Sequence, residues 1–147
     1  MQLEYTYMQS AVGQLLLAGE GEVLHYLSFP TGKMPLSPAS DWIYNRLAFK
    51  PIRRQIEAYF AGECKRFDIA IAPFGTEFQM QVLSALQQIP YGQTRSYKDI
   101  ARVIDRPKAT RAVGAANGRN PIPLIIPCHR VIGANGRLTG FAGGEDT

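Results

Sequence analysis

Residues 96–118 read SYKDIARVIDRPKATRAVGAANG, and the fold turns on how this stretch is parsed. Ser96 followed three residues later by Asp99 is a capping box, set just ahead of Ile100, Val103 and Ile104. Asp105-Arg106-Pro107 interrupts the pattern, and Pro107 is expected to open a second helix running to about Gly118. Two short helices joined by a tight turn predict a helix-turn-helix. On the second helix, Ala109, Ala112, Val113 and Ala116 are expected to pack inward. Arg111, Gly114, Ala115 and Gly118 then line the other side. Two glycines on an exposed helix face cost roughly 1 kcal/mol each against alanine, so a close approach to another surface should offset them. Packing against a second helix also uses small residues. The rim of Lys98, Arg102, Arg106, Lys108 and Arg119 favours a DNA groove.

Outward from this core, Thr76 and Gln79 make another capping box before a face of Phe78, Val82, Leu86 and Ile89, which Pro90-Tyr91-Gly92 ends. A new unit is expected to begin at Pro73. Before it, Leu3-Tyr5-Tyr7 alternates with polar residues, residues 14–18 are apolar, and residues 23–29 are rich in β-formers. Gly13 and Gly19-Glu20-Gly21 punctuate these runs, so an antiparallel meander is predicted. Residues 30–40 are turn-rich, with three prolines and one glycine. Ile43 and Leu47 predict a short helix. Ile52, Ile56, Tyr59 and Phe60 behind Pro51 predict a longer one, ended by Gly62. Residues 67–71 read as a strand or an extended linker. Past the helix pair, Asn135-Gly136 between Val131-Ile132 and Leu138-Thr139 is a strong hairpin signal.

A chain of 147 residues suits one domain or two small ones sharing a core. With 46% hydrophobic and 19% charged residues, wholesale disorder is excluded. The longest apolar stretch, residues 121–128, falls far short of the ~18 needed to span a bilayer. No Lys or Arg precedes Lys33, so no signal peptide is expected, and two cysteines make no disulfide framework. A reducing cytoplasm is the expected compartment. The net charge of +4 is unevenly spread. Residues 1–72 balance seven basic against seven acidic side chains, whereas residues 95–137 hold nine basic against two acidic. That pattern points to a polyanion, nucleic acid before membrane, although a solvated Arg-rich surface would show the same counts.

Pro127-Cys128-His129-Arg130 is the other focus. A thiol becomes a nucleophile when a base or cation stabilises its thiolate, and His129 and Arg130 are immediate neighbours. A lone cysteine after Leu124-Ile125-Ile126 also reads as a small buried hydrophobe. Cysteine-protease and phosphatase arrangements need different spacings. Cys64, Cys128, His25 and His129 lack zinc-ligand spacing.

The run Pro127-Cys128-His129-Arg130-Val131 after Asn120-Pro121-Ile122-Pro123, with Ser96-Tyr97 and Arg111-Ala112-Val113-Gly114 upstream, resembles the methylated-DNA–protein-cysteine methyltransferases, the O6-alkylguanine-DNA alkyltransferases. The likeness runs from about Phe78 to Gly144, and more loosely through the first 72 residues. It implies an α/β fold: a ribonuclease-H-like domain over residues 1–72, then a mostly helical, winged-helix-like domain over residues 73–147. It implies direct reversal of DNA damage, with an alkyl group moved irreversibly from O6 of guanine to Cys128 and no cofactor or metal. His129 would be the base, acting through a water, and Tyr97 would protonate or hydrogen-bond the leaving guanine. Arg111 would enter the minor groove of duplex DNA and fill the place of the flipped base. Lys98, Arg106, Gly114 and Ala115 would complete the DNA-binding surface. Asn120 would brace the segment behind the site, while Val131 and the backbone at Phe141 and Ala142 would hold the guanine edge. The partner implied is double-stranded DNA bearing O6-alkylguanine, met by a monomer with no membrane contact.

This sequence departs from the family pattern at two places. Phe141 and Ala142 stand where a Tyr-Ser pair is usual, which keeps backbone donors but loses a hydroxyl. The family also continues into a helix whose Glu orients the histidine, whereas Glu145 and Asp146 come too early to match it. Slow or absent transfer, with DNA binding retained, is the expectation that follows. The rival reading is a non-enzymatic protein that binds alkylated DNA; Cys128 argues against it, and the lack of a match to the Glu-bearing helix argues for it.

Overall fold

The alternation in residues 3–7 and the two apolar runs after it fold into an antiparallel meander. The computed structural model describes residues 2–29 and 37–132. The hairpin expected at Asn135-Gly136, the Phe141 and Ala142 positions, and most of the proline-rich turn segment lie outside the described residues. Strands β1 (Glu4–Ser10), β2 (Gly13–Glu20) and β3 (Val23–Ser28) pair in sequence order. A short β4 (Ile43–Tyr44) joins parallel to β1, giving the order β3-β2-β1-β4.

The two faces of this sheet differ. Thr6 and Met8 of β1 sit opposite Leu17 and Leu15 of β2, and all four are buried. The tyrosines that mark β1 in the sequence lie on the other face, with Tyr5 opposite Ala18 and Tyr7 opposite Leu16. They belong to an aromatic layer in which Tyr5 meets Tyr7, Trp42 and Tyr44, and Tyr26 stacks on Trp42. β2 is thus covered on both sides, which is why it reads as a continuous apolar run.

Helix α1 (Lys50–Phe60) starts with Pro51 in its first turn and buries Ile52 and Ile56. Gly62 ends it with φ +78°, a left-handed conformation that glycine adopts without a Cβ clash. The chain then returns along the free edge of β3. Leu24 N–H donates to the Ala70 carbonyl (3.0 Å) and Ala72 N–H to the Leu24 carbonyl (2.9 Å). Residues 67–71 are therefore an extended linker with one bridging pair at Ile71.

The second half packs α2 (Glu77–Leu86), α3 (Tyr97–Val103) and α4 (Thr110–Gly118) together. Both expected capping boxes form, Thr76 with Gln79 and Ser96 with Asp99. β5 (Arg95–Ser96) pairs parallel with β6 (Val131–Ile132). One continuous core joins the halves, running from Leu15, Leu17 and Ile56 to Val82, Ile100, Val113 and Cys128. The Leu27 N–H also donates to the Pro121 carbonyl at 2.9 Å, tying β3 to the segment that leads to Cys128. Among the described residues, no helix is long and apolar enough to cross a membrane.

Three local expectations are corrected. Ile43 and Leu47 do not form a helix: Ile43 pairs with β1, and the Asn45 side chain accepts from Leu47 N–H (3.0 Å), turning the chain first. Pro107 does not open α4, which begins at Thr110. It sits in a turn closed by Ala109 N–H to the Arg106 carbonyl (2.9 Å), the position that favours proline after its first residue. With that start, the buried stripe of α4 is Val113, Ala116 and Asn117, and Ala112 faces solvent.

Candidate active site and DNA-facing helix

The site is built on the segment after α4. Asn120 is buried; its Nδ2 donates to the Ile126 carbonyl (2.8 Å) and its Oδ1 accepts from Ile122 N–H (2.9 Å). This clamp closes a tight turn in which Leu124 takes φ 76°, a conformation that L side chains rarely adopt. The chain leaves the turn through Pro127 into one turn of 3₁₀ helix, Cys128–Arg130. Cys128 has no exposed surface, and its N–H donates to the Ile126 carbonyl at 2.8 Å.

Asn117 is the residue that the sequence reading missed. It has no exposed surface, and its Nδ2 approaches the Cys128 carbonyl at 3.4 Å. The signal was present: a polar residue at i+4 from Val113, on the stripe where apolar side chains are expected. His129 is half-buried, and burial first and the charge of Arg130 second push its pKa down to about 4. The imidazole is therefore neutral at pH 7 and able to accept a proton. Arg130 Nη1 donates to the Ile89 carbonyl at 2.8 Å, anchoring the 3₁₀ turn to the end of α2.

Tyr97 reaches the site by a different route. The β5–β6 pairing sets Ser96 beside Ile132, which holds the start of α3 against the strand that follows Cys128. The Tyr97 ring then lies on α4 at Gly114, where an added Cβ would come within 3.3 Å of Cε2. The ring takes up space beside Gly114 that a larger side chain would need, a close approach of the kind that offsets a glycine in a helix. Cys128 and Val131 lie in the shared core and Tyr97 packs against it, while Asn120 is buried and His129 half-buried on the same segment as Cys128. Lys98, Arg106, Arg111 and Ala115 are exposed and do not join them; with Arg102, Lys108 and Arg119 they form a cationic, solvent-facing rim on α3 and α4. Asp99, within that rim, has its carboxyl held below the usual range by the Ser96 backbone N–H and hydroxyl, with Arg102 and Arg95 assisting. Among the described residues, no group of three or more His, Cys, Asp or Glu could hold a metal ion.

A ribonuclease-like domain followed by a DNA-binding domain is the class of protein that this fold and site define. Two family models match: the 6-O-methylguanine DNA methyltransferase ribonuclease-like domain over residues 3–73 and its DNA binding domain over residues 77–147. The methylated-DNA–protein-cysteine methyltransferase of Methanosarcina acetivorans is 55% identical over 142 residues, 97% of this chain and 91% of that one. That of Mycolicibacterium paratuberculosis is 50% identical over 144 residues, covering 98% and 87%. The crystal structure of Mycobacterium tuberculosis O6-methylguanine methyltransferase superposes with a TM-score of 0.90 at 48% identity, covering 98% of this chain and 87% of that one. The M. tuberculosis OGT in complex with DNA gives 0.89, also at 48% identity, covering 96% and 85%. The chain belongs to the 6-O-methylguanine DNA methyltransferase family.

Proposed function

We propose that this protein repairs DNA by accepting an alkyl group from O6 of guanine onto Cys128, once per molecule. The observation that carries the reading is a buried cysteine beside a neutral histidine, on a segment braced against a helix-turn-helix with a cationic outer face. His129, acting through a water, takes the thiol proton. Because placing a charge on a half-buried imidazole is uphill, that transfer belongs to the moment of attack and not to the resting site. Sulfur then bonds to the alkyl carbon as the carbon–O6 bond breaks. The electron pair leaves on guanine, where Tyr97 supplies a hydrogen bond or a proton. The product is a thioether with no acidic proton and no good leaving group, so the step is irreversible.

The substrate base must leave the stack to reach a buried thiol, and that costs a few kcal/mol of unstacking. Arg111, exposed on α4 on the same side as Gly114 and Ala115, is the side chain we assign to fill the vacated place from the minor groove. Lys98 and Arg106 contact phosphates, Asn120 braces the turn, and Val131, Phe141 and Ala142 hold the guanine edge. We place the boundary between the domains near Pro73, and read the protein as a cytoplasmic monomer that needs no cofactor.

Incubation with an O6-methylguanine duplex followed by intact mass tests the reading. The protein should gain one methyl group, located on the Cys128 peptide, and consume at most one lesion per molecule. Cys128→Ser should bind the duplex with similar affinity and transfer nothing. Arg111→Ala should slow repair more than it weakens binding. Repeated turnover, or methylation elsewhere, overturns the proposal.

A further inference from the structure

A cavity of about 580 Å³ lies where the extended linker meets the turns flanking Cys128. Its charged lining consists of Lys65, Arg66 and Arg130, with no Asp or Glu, and Gln87, Gln88 and Tyr91 add polar wall. Glu63 and Asp68, the acids nearest in sequence to Lys65 and Arg66, stay outside the lining. No residue of α4 contributes, so the cavity is distinct from the cationic rim on the helix pair.

Three cations facing one concave space repel one another, and the apolar walls from Ile69, Ile71 and Leu124 concentrate their field instead of screening it. Arg130 is held in place there. Its Nη1 is taken by the Ile89 carbonyl, and its guanidinium lies 5.6 Å from the centre of the Tyr91 ring. Lys65 Nζ lies 5.8 Å from the centre of the same ring. A guanidinium carries five N–H donors in a rigid fork, so one bond to a carbonyl leaves most of the fork for another acceptor. Little of the Arg130 side-chain freedom then remains to be lost when an anion binds, while the exposed Lys65 and Arg66 close on it from the rim.

We propose that this cleft is a binding site for a phosphate-type oxyanion, held by Arg130, Lys65 and Arg66 at the joint between the two halves of the chain. The volume exceeds that of one phosphate, so a diphosphate or a phosphate carrying a further group suits it. The same chemistry comes from two sources, a free phosphoanion or a backbone phosphate of DNA passing the joint. An anion here also cancels part of the Arg130 charge, one of the two causes that lower the His129 pKa, and so eases protonation of that imidazole. The binding itself does not depend on the alkyl-transfer reading.

Calorimetric titration of the full chain with inorganic pyrophosphate, in low-salt chloride buffer, should show one site per chain. Lys65→Gln combined with Arg66→Gln should weaken it about tenfold, because two charge-assisted contacts are lost. Arg46→Gln combined with Arg54→Gln removes the same charge from exposed positions elsewhere and should change it less than about twofold. Absence of binding at millimolar pyrophosphate, or equal weakening by both pairs, overturns the proposal. A second titration with undamaged duplex identifies the source. If the Lys65/Arg66 pair also weakens duplex binding and pyrophosphate competes with it, the phosphate is the DNA backbone. If duplex affinity is unchanged and there is no competition, the ligand is a free anion.

Discussion

Asn117 is the side chain at which α4 touches the backbone of Cys128. It has no exposed surface and donates toward the Cys128 carbonyl, so its removal leaves both a void and a buried acceptor that has lost a donor. Such a change costs about 1–3 kcal/mol. Asn117→Ala should therefore lower stability by that amount and slow alkyl transfer, while duplex affinity stays near the parent value, because the exposed rim is untouched. Asn117→Asp should be worse than Ala, since it sets an acceptor against an acceptor. Transfer kinetics and duplex titration of the two variants check this ordering. That residue was illegible for a physical reason. A polar side chain on an inward stripe looks like an interruption of the core until the partner it bonds is known, and that partner lies eleven positions away. Cys128, His129 and Arg130 drew notice because they are adjacent in sequence, although Cys128 taken alone also reads as a small buried hydrophobe. Asn120 and Tyr97 stood out only as parts of a longer resemblance, not through any chemistry of their own.

Short elements owe their placement to their ends. Helix α3 has only seven residues, too few to hold by propensity alone, and its capping box supplies the missing hydrogen bonds. Ser96→Ala should cost about 1 kcal/mol. Because Tyr97 is the first residue of the helix, the same substitution should slow repair and let the Asp99 carboxyl rise toward its ordinary range. Thermal melting and an NMR titration of Asp99 would read both effects. Both capping boxes could be read directly from the sequence, as could the strands separated by glycines, since those signals are local. The elements misjudged were those in which a short-range turn or a distant partner overrides the pattern. At Ile43 the partner is β1, 39 positions upstream at Glu4, and at Pro107 a closed turn delays the helix by three residues.

At the scale of the whole molecule, the neutral half-buried His129 makes folding depend on pH. Its folded-state pKa is near 4, against 6.5 for the free side chain. Between those values the unfolded chain binds a proton that the folded one refuses. Stability should therefore fall as pH drops through this window, level off below it, and be unaffected above it. The total is at most about 3 kcal/mol. The depressed Asp99 adds its loss only at lower pH, below the ordinary carboxylate range. Urea denaturation from pH 7 to pH 4 should show the slope, and His129→Gln should flatten it. A parent protein with no slope across that window would mean that the imidazole titrates freely.

Cys128 is a member of the core that both halves share, and no part of it is exposed. A well-packed interior resists added volume: one extra carbon typically costs about 1–3 kcal/mol in displaced neighbours. The repaired lesion thus reappears as crowding inside the repairer, at the place where the halves are joined. For a chain of this size, melting should fall by about 2–4 °C per kcal/mol after methylation, and by more after transfer of a bulkier group. A spent molecule should then open to a protease more readily than a fresh one, which limited proteolysis before and after methylation checks.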